Sequence, residues 1–346
     1  MFLIVQLSGL LMAFYLLSPA EIYVNRAPSG ASGTISVLFY FAYLIVAALI
    51  LFFLFKRHRG PLLFKGIEAL VVVSAAFYLF LIALSAFFPD YPNYVLLASF
   101  AAAVGLIVAK NIWPVLRNLA AVIASIGVGL VLGLYFGFFA SFIFMALIAV
   151  YDYVAVFVTK HMITLGRESV NRNLAFMVGS YDVEVVPQGY LKKGEAAKLR
   201  KELAGTKNET LRRLIASGSI PMPSFSALGT GDLAIPLMVA VSAYTTYFSY
   251  FFSAILVVAT SFGLAFAMYV SKKYKMALPA IPPLFAFASI GFGIDVLLAS
   301  SSNWLLAGLL FAEGLIVLAI MLLTAINQSR KGLGARIVPK GRAAGS

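Results

Sequence analysis

The stretch GTGDLAIPL, Gly229 to Leu237, sits inside a run apolar enough for a lipid bilayer, yet it carries an aspartate. Many such runs surround it. Of 346 residues, 62% are hydrophobic and 11% charged, and apolar runs of about twenty residues, the length a helix needs to cross hydrocarbon, recur along the chain. Within lipid, backbone polar groups must be satisfied inside the spanning element, so these runs read as helices. The chain is therefore expected to be an all-α polytopic membrane protein. The spans read as residues 1–17, 35–55, 66–88, 94–110, 114–137, 139–159, 224–247, 250–271, 277–299 and 304–326. The first lacks a charged leading region and a clear small-residue cleavage site, so it reads as a retained span.

The basic residues test this division, because they should gather in alternate loops. Lys56, Arg57, Arg59 and Lys65 follow the second span, and Lys110 and Arg117 the fourth. Eleven more lie from Lys160 to Arg213, Lys272, Lys273 and Lys275 follow the eighth span, and five finish the chain. Of the 26, only Arg26 falls on the other side. Both termini and the large loop are thus expected in the cytoplasm, with the protein in the cell membrane. The net charge of +13 is explained by this clustering and by contact with anionic lipid, so no nucleic-acid partner is implied. The chain has no cysteine, and its only histidines, His58 and His161, flank spans. Disulfides and thiol chemistry are excluded, and no metal site or cofactor is implied.

Four segments follow. Residues 1–160 form a six-helix part, 161–223 a cytoplasmic loop, 224–299 the next helices, and 300–346 a further helix with a basic tail. Within the loop, FMVGSYDVEVVPQG (176–189) favours strand, KKGEAAKLRKELAG (192–205) favours helix, and SGSIPMPS (217–224) reads as irregular.

Acidic residues inside spans are costly, about 2.5 to 3.5 kcal/mol for an aspartate near a helix centre. Glu68 and Asp295 are near span ends, where reaching the interface is inexpensive. Asp152, Asp232 and Glu313 are not. Asp152 lies eight residues before Lys160, about 12 Å of helix; Asp232 lies nine after Pro223, about 13 Å if that stretch is helical. The two carboxylates come out level on consecutive antiparallel spans. Facing each other in a low dielectric, they cannot both ionise and would share one proton. One carboxylate and one carboxylic acid can together activate water and protonate a leaving amine. The alternatives are separate satisfaction of each aspartate, by Tyr151, Tyr153 or backbone, or a proton relay in a transporter or channel. Gly229 and Gly231 leave bare backbone beside Asp232, allowing close approach of another chain at a cost in helix stability.

Three stretches together resemble the presenilin and signal-peptide-peptidase family of intramembrane aspartyl proteases. YDYVAVFVTKHM (Tyr151 to Met162) looks like that family's Y-D motif, GTGD its G-x-G-D motif, and ALPAIPPL (Ala277 to Leu284) its P-A-L-P motif, in matching order and spans. The resemblance implies a presenilin-like bundle of nine to ten transmembrane helices. It also implies an intramembrane aspartic endopeptidase with Asp152 and Asp232 as the catalytic pair, supported by Tyr151, Gly229 and Gly231. Pro279, Ala280, Ile281 and Pro282 would stand for the P-A-L-P element, with isoleucine in place of leucine, near the active site and handling substrate. Substrates would be membrane-spanning proteins or signal peptides, with no obligate partner subunit implied by the sequence. The presenilin-like orientation of the sixth and seventh spans implies substrates whose N-termini lie outside. The family typically has nine spans, so residues 304–326 read either as an extra, tenth helix or as a sign that this run and the ninth span are divided wrongly, and Glu313 within it is expected to make a buried structural hydrogen bond.

Other readings fare worse. GASG (Gly30 to Gly33) matches a rhomboid serine motif, but no span interior supplies a histidine base. H-E-x-x-H is absent. Prepilin peptidases share G-x-G-D without the other two motifs. The rivals from other classes are a proton-coupled transporter or channel using the same aspartates, and a silent scaffold that binds transmembrane segments. Gly129, Gly133 and Gly137 recur at four-residue spacing and read as a helix-packing face. The strand-favouring part of the loop, around Val183 to Val186, is expected to pair with an unwound substrate by strand addition.

Overall fold

The computed structural model describes residues 1–15, part of 35–53, 61–159, 177–187, 219–299 apart from 275 and 277, and 303–330. The helices are α1 (Phe2–Tyr15), α2 (Pro61–Phe87), α3 (Pro92–Ile112), α4 (Arg117–Tyr135), α5 (Phe138–Tyr153), α6 (Thr230–Tyr247), α7 (Tyr250–Tyr274), α8 (Ile281–Ala299) and α9 (Trp304–Arg330). The described residues between 35 and 53 are also helical. The expected helix at 192–205 and the GASG stretch lie outside the described residues. Among the described residues, seven helices are long and apolar enough to cross a membrane. The fold is thus the expected helical membrane bundle.

Prolines and glycines set the breaks. Pro92 opens α3, where its missing N–H costs nothing. Only Phe136 and Gly137 separate α4 from α5, so the short hairpin expected between the fifth and sixth spans is real. Between α6 and α7, Phe248 takes the left-handed conformation at φ 52° and its N–H reaches Tyr244 O at 2.7 Å. Ser249 Oγ then caps α7 by accepting from Phe252 N–H at 3.2 Å.

The helix carrying GTGD is the centre of the bundle. Every residue of α6 from Leu233 to Thr245 is buried, the mark of a helix surrounded on all sides. It packs against α1, α4, α5 and α7, while α8 packs against α5, α7 and α9. The expected glycine face on α4 does this packing at two of its three positions. A Cβ on Gly129 would lie 2.9 Å from Ala234 O, and one on Gly133 would lie 2.8 Å from Met238 O. Gly137 has open space instead and stands at the start of α5. The far end of α5 is held by rings, with Phe138 centred 4.9 Å from Phe252 and 4.8 Å from Phe292.

Two acidic residues depart from expectation. Glu68, expected near a span end, is buried on α2 and ion-paired with Lys110 of α3, also buried. The reason is that α2 extends to Pro61, a turn and more before the expected boundary, which places Glu68 inside the helix packing. Glu313 was expected to be buried in a structural hydrogen bond, but it lies on the exposed face of α9. The buried line of that helix runs instead through Ala307, Leu310, Gly314 and Met321, because Gly314 admits the backbone of α8 at Ala286.

The chain divides into two compact units. The first, Met1–Val178 with Leu228–Ile337, contains the helices. The second comprises Gly179–Ala227 and Val338–Ser346. In it β1 (Met177–Pro187) pairs with β2 (Ser219–Gly229) in a two-stranded sheet. The first strand falls where expected. The second is a correction, since SGSIPMPS was read as irregular. Pro221 and Pro223 favour extended backbone at the residues before them, which suits a strand on the edge of a sheet.

Candidate active site

The same correction shortens the seventh span. Extended chain continues to Gly229 and the helix begins at Thr230, six residues later than expected. The helical rise used to set the depth of Asp232 therefore does not apply to residues 224–229. Asp232 stands instead in the first turn of α6, at its third position. That placement has a chemical consequence. The first N–H groups of a helix lack internal acceptors, and an acidic side chain at the third position can turn back to one of them. Asp232 Oδ2 accepts from Gly229 N–H at 3.1 Å. Gly229 is close-fitting here, since a Cβ on it would lie 3.1 Å from that same oxygen. Gly231 differs: it is exposed, and a Cβ there would meet nothing within 4 Å.

Asp152 is held by another helix start. It is buried near the end of α5, one residue before Tyr153 closes the α-helix. From Val154 to Val158 the backbone widens into a π-helical turn, closed by Thr159 N–H to Val154 O at 2.9 Å. Such turns re-aim side chains and recur at functional sites. Asp152 Oδ2 accepts from Ile281 N–H at 3.2 Å. Ile281 opens α8 and is followed by Pro282 and Pro283, which have no N–H to offer. The positive end of α8 therefore presents few donors, and one of them meets Asp152.

The helix that carries Asp152, α5, packs against both α6, whose start holds Asp232, and α8, whose start holds Asp152. The structure thus joins Asp232 to Gly229 at the start of α6, and Asp152 to Ile281 at the start of α8. Pro279 and Pro282 are buried beside Ile281 in sequence, at the entry to α8. Tyr151 is half-buried. Tyr153, considered above as a partner for Asp152, turns elsewhere: its hydroxyl bonds Thr324 Oγ1 of α9 at 2.8 Å.

Several neighbours were not evident from the sequence. Gly263 of α7 makes room for the start of α8, and a Cβ there would lie 2.8 Å from Pro283 O. Gln6 of α1 and Ser125 of α4 bond carbonyls beside Asp232, namely Leu233 O and Thr230 O. A glutamine alone among apolar residues at Gln6 was the available signal. Gln328 Nε2 of α9 bonds Phe157 O of the π-helical turn at 3.3 Å.

Comparison with known proteins identifies the family and the fold. A family model described as signal-peptide peptidase, presenilin aspartyl protease, matches residues 1–301 and leaves α9 outside the match. No curated protein matches the chain. Two solved structures of a presenilin family intramembrane aspartate protease, one in space group P2 and one in C222, share its fold. The first has 20% identity and a TM-score of 0.54, covering 86% of this chain and 96% of that one. The second has 19% identity and a TM-score of 0.54, covering 86% and 98%. An apolar helical bundle and a family match over residues 1–301 lead to one conclusion: this chain is an integral membrane protein belonging to the signal-peptide-peptidase and presenilin family of intramembrane aspartyl proteases.

Proposed function

We propose that Asp152 and Asp232 are the catalytic pair of a protease that hydrolyses peptide bonds in or near transmembrane segments of membrane proteins or signal peptides. The observation that carries this reading is two carboxylates on helices packed against one another, each held by an N–H at the start of a different helix. Such donors orient an oxygen without supplying a competing cation, so one proton can remain shared between the acids. The ionised member takes a proton from water as the water attacks the scissile carbonyl. The protonated member hydrogen-bonds the carbonyl oxygen, and a proton passes to the departing amine as the C–N bond breaks. Water has to reach the pair, from the cytoplasmic side in the orientation that the basic loops favour.

A helical substrate hides its amides in internal hydrogen bonds, so it must unwind before attack. Sheet β1–β2 supports a route for holding the unwound chain. A two-stranded sheet keeps unpaired edges, to which an extended segment can add as a further strand. β2 also runs directly into α6 in sequence.

The test is cleavage of a labelled single-span substrate in liposomes by wild type, Asp152→Asn and Asp232→Asn. Cleavage by the wild type and by neither variant is expected. Full cleavage by either variant would overturn the assignment, and Asp-dependent ion flux without any cleavage would favour a transporter.

A further inference from the structure

Asp232 stands in a turn that its own helix cannot fully hold. Pro236, one turn on, has no N–H to offer the Asp232 carbonyl, and its ring crowds that oxygen. Two side chains from other helices bond the carbonyls on either side. Ser125 of α4 shares its hydroxyl proton between Ala121 O at 2.8 Å and Thr230 O at 3.2 Å. Gln6 of α1 donates from Nε2 to Leu233 O at 2.9 Å, across 227 positions of sequence.

Gln6 is the more telling of the two. It is fully buried, and its Oε1 has no hydrogen-bond partner among the described residues. The amide cannot turn over to relieve this, because Leu233 O is an acceptor and needs the NH₂ group. Half of the amide is therefore buried at a loss, and an apolar side chain of the same shape would fill the space without that loss. Stability does not account for a glutamine here. Its one bond goes to the residue that follows Asp232.

We propose that Gln6 is a positioning residue for Asp232. By holding Leu233 O from α1, it sets the angle at which the first turn of α6 presents the Asp232 carboxylate to Asp152, with Ser125 steadying the other side of the turn. The inference rests on the reading of the two aspartates as the catalytic pair.

The test uses the full chain in liposomes with a single-span substrate, measuring kcat, KM and thermal unfolding. Gln6→Met is expected to keep or raise the unfolding temperature and leave KM unchanged, while kcat falls about tenfold to a hundredfold through misplacement of the carboxylate. Gln6→Glu can donate only when protonated, so its rate relative to wild type is expected to rise as pH falls. A packing role would move the rate and the unfolding temperature of Gln6→Glu together with pH. Unfolding is therefore followed over the same range, and the rate response is expected where the unfolding temperature is constant. Unchanged kcat in Gln6→Met overturns the proposal, as does a joint loss of stability and rate without the pH response in Gln6→Glu. Asp232→Asn is measured alongside: full activity there sinks the catalytic-pair reading itself, whatever Gln6→Met does.

Discussion

The Ile281 N–H donates to Asp152 Oδ2 at 3.2 Å, so the first backbone donor of α8 meets the aspartate at the end of α5. The bond is made by the main chain, and a proline removes it. Proline is well tolerated at the first position of a helix. Ile281→Pro should therefore keep α8 and lose the donor. Loss of a hydrogen bond to a charged group, about 1.5 to 3 kcal/mol, corresponds to a fall in cleavage of roughly tenfold to a hundredfold. Ile281→Ala retains the N–H and measures the packing loss alone, so its smaller deficit in kcat is the comparison.

Gly229 and Gly231 separate by the same logic. Gly229→Ala places a methyl 3.1 Å from Asp232 Oδ2, which must move, so cleavage should drop while the bundle stays folded. Gly231→Ala meets nothing and replaces a poor helix former, so thermal unfolding should show a gain of about 0.5 to 1 kcal/mol. A fall in cleavage by that stabilised variant would show that bare backbone serves the approach of substrate.

A pair that shares one proton works only in its singly protonated state. The pH–rate profile should be bell-shaped: acid protonates the base, alkali removes the acid. A profile rising to a plateau on one side would indicate that only one carboxyl group titrates in the reaction.

Glu68 and Lys110 supply a prediction about stability alone. Lys110→Met removes the ion-pair partner of a buried glutamate and should destabilise by about 3 to 5 kcal/mol. Glu68→Leu combined with Lys110→Met should recover most of it, because a buried ion pair can be exchanged for packed apolar groups at little net cost. Thermal unfolding of the two single variants and the double variant decides the matter.

The helix beyond the family match touches the segment that carries Asp152. Tyr153 bonds Thr324, and Gln328 bonds the Phe157 carbonyl of the π-helical turn. Tyr153→Phe should cost about 1 kcal/mol and Thr324→Val somewhat more, since it also loses the bond to Ile320 O, with the double variant little worse than Thr324→Val because the Tyr153 bond is shared. Additive losses in unfolding measurements would mean that the two hydroxyls act separately.

Much of this was legible in residue order. Basic residues in alternate loops marked the spans, and YD, GTGD and PAIP marked the candidate site, because lipid permits few charges and those few stand out. Other features escaped for a common reason. The start of α6 at Thr230 follows extended chain through Gly229, which a hydropathy window cannot register. Glu68 and Glu313 look alike as acids in apolar runs, yet one meets Lys110 and the other faces outward, because helix rotation is set by packing partners rather than by composition.

By itself, then, the sequence determined the membrane class and singled out the two aspartates on consecutive apolar runs, since both follow from the cost of polar groups in hydrocarbon. Tertiary structure alone decided what holds those aspartates. Their donors are the N–H groups of Gly229 and Ile281, and the neighbouring turn is gripped by Gln6 from the other end of the chain. Main-chain donors are common to nearly every residue, so their use becomes visible only when folding aims a helix start at a carboxylate.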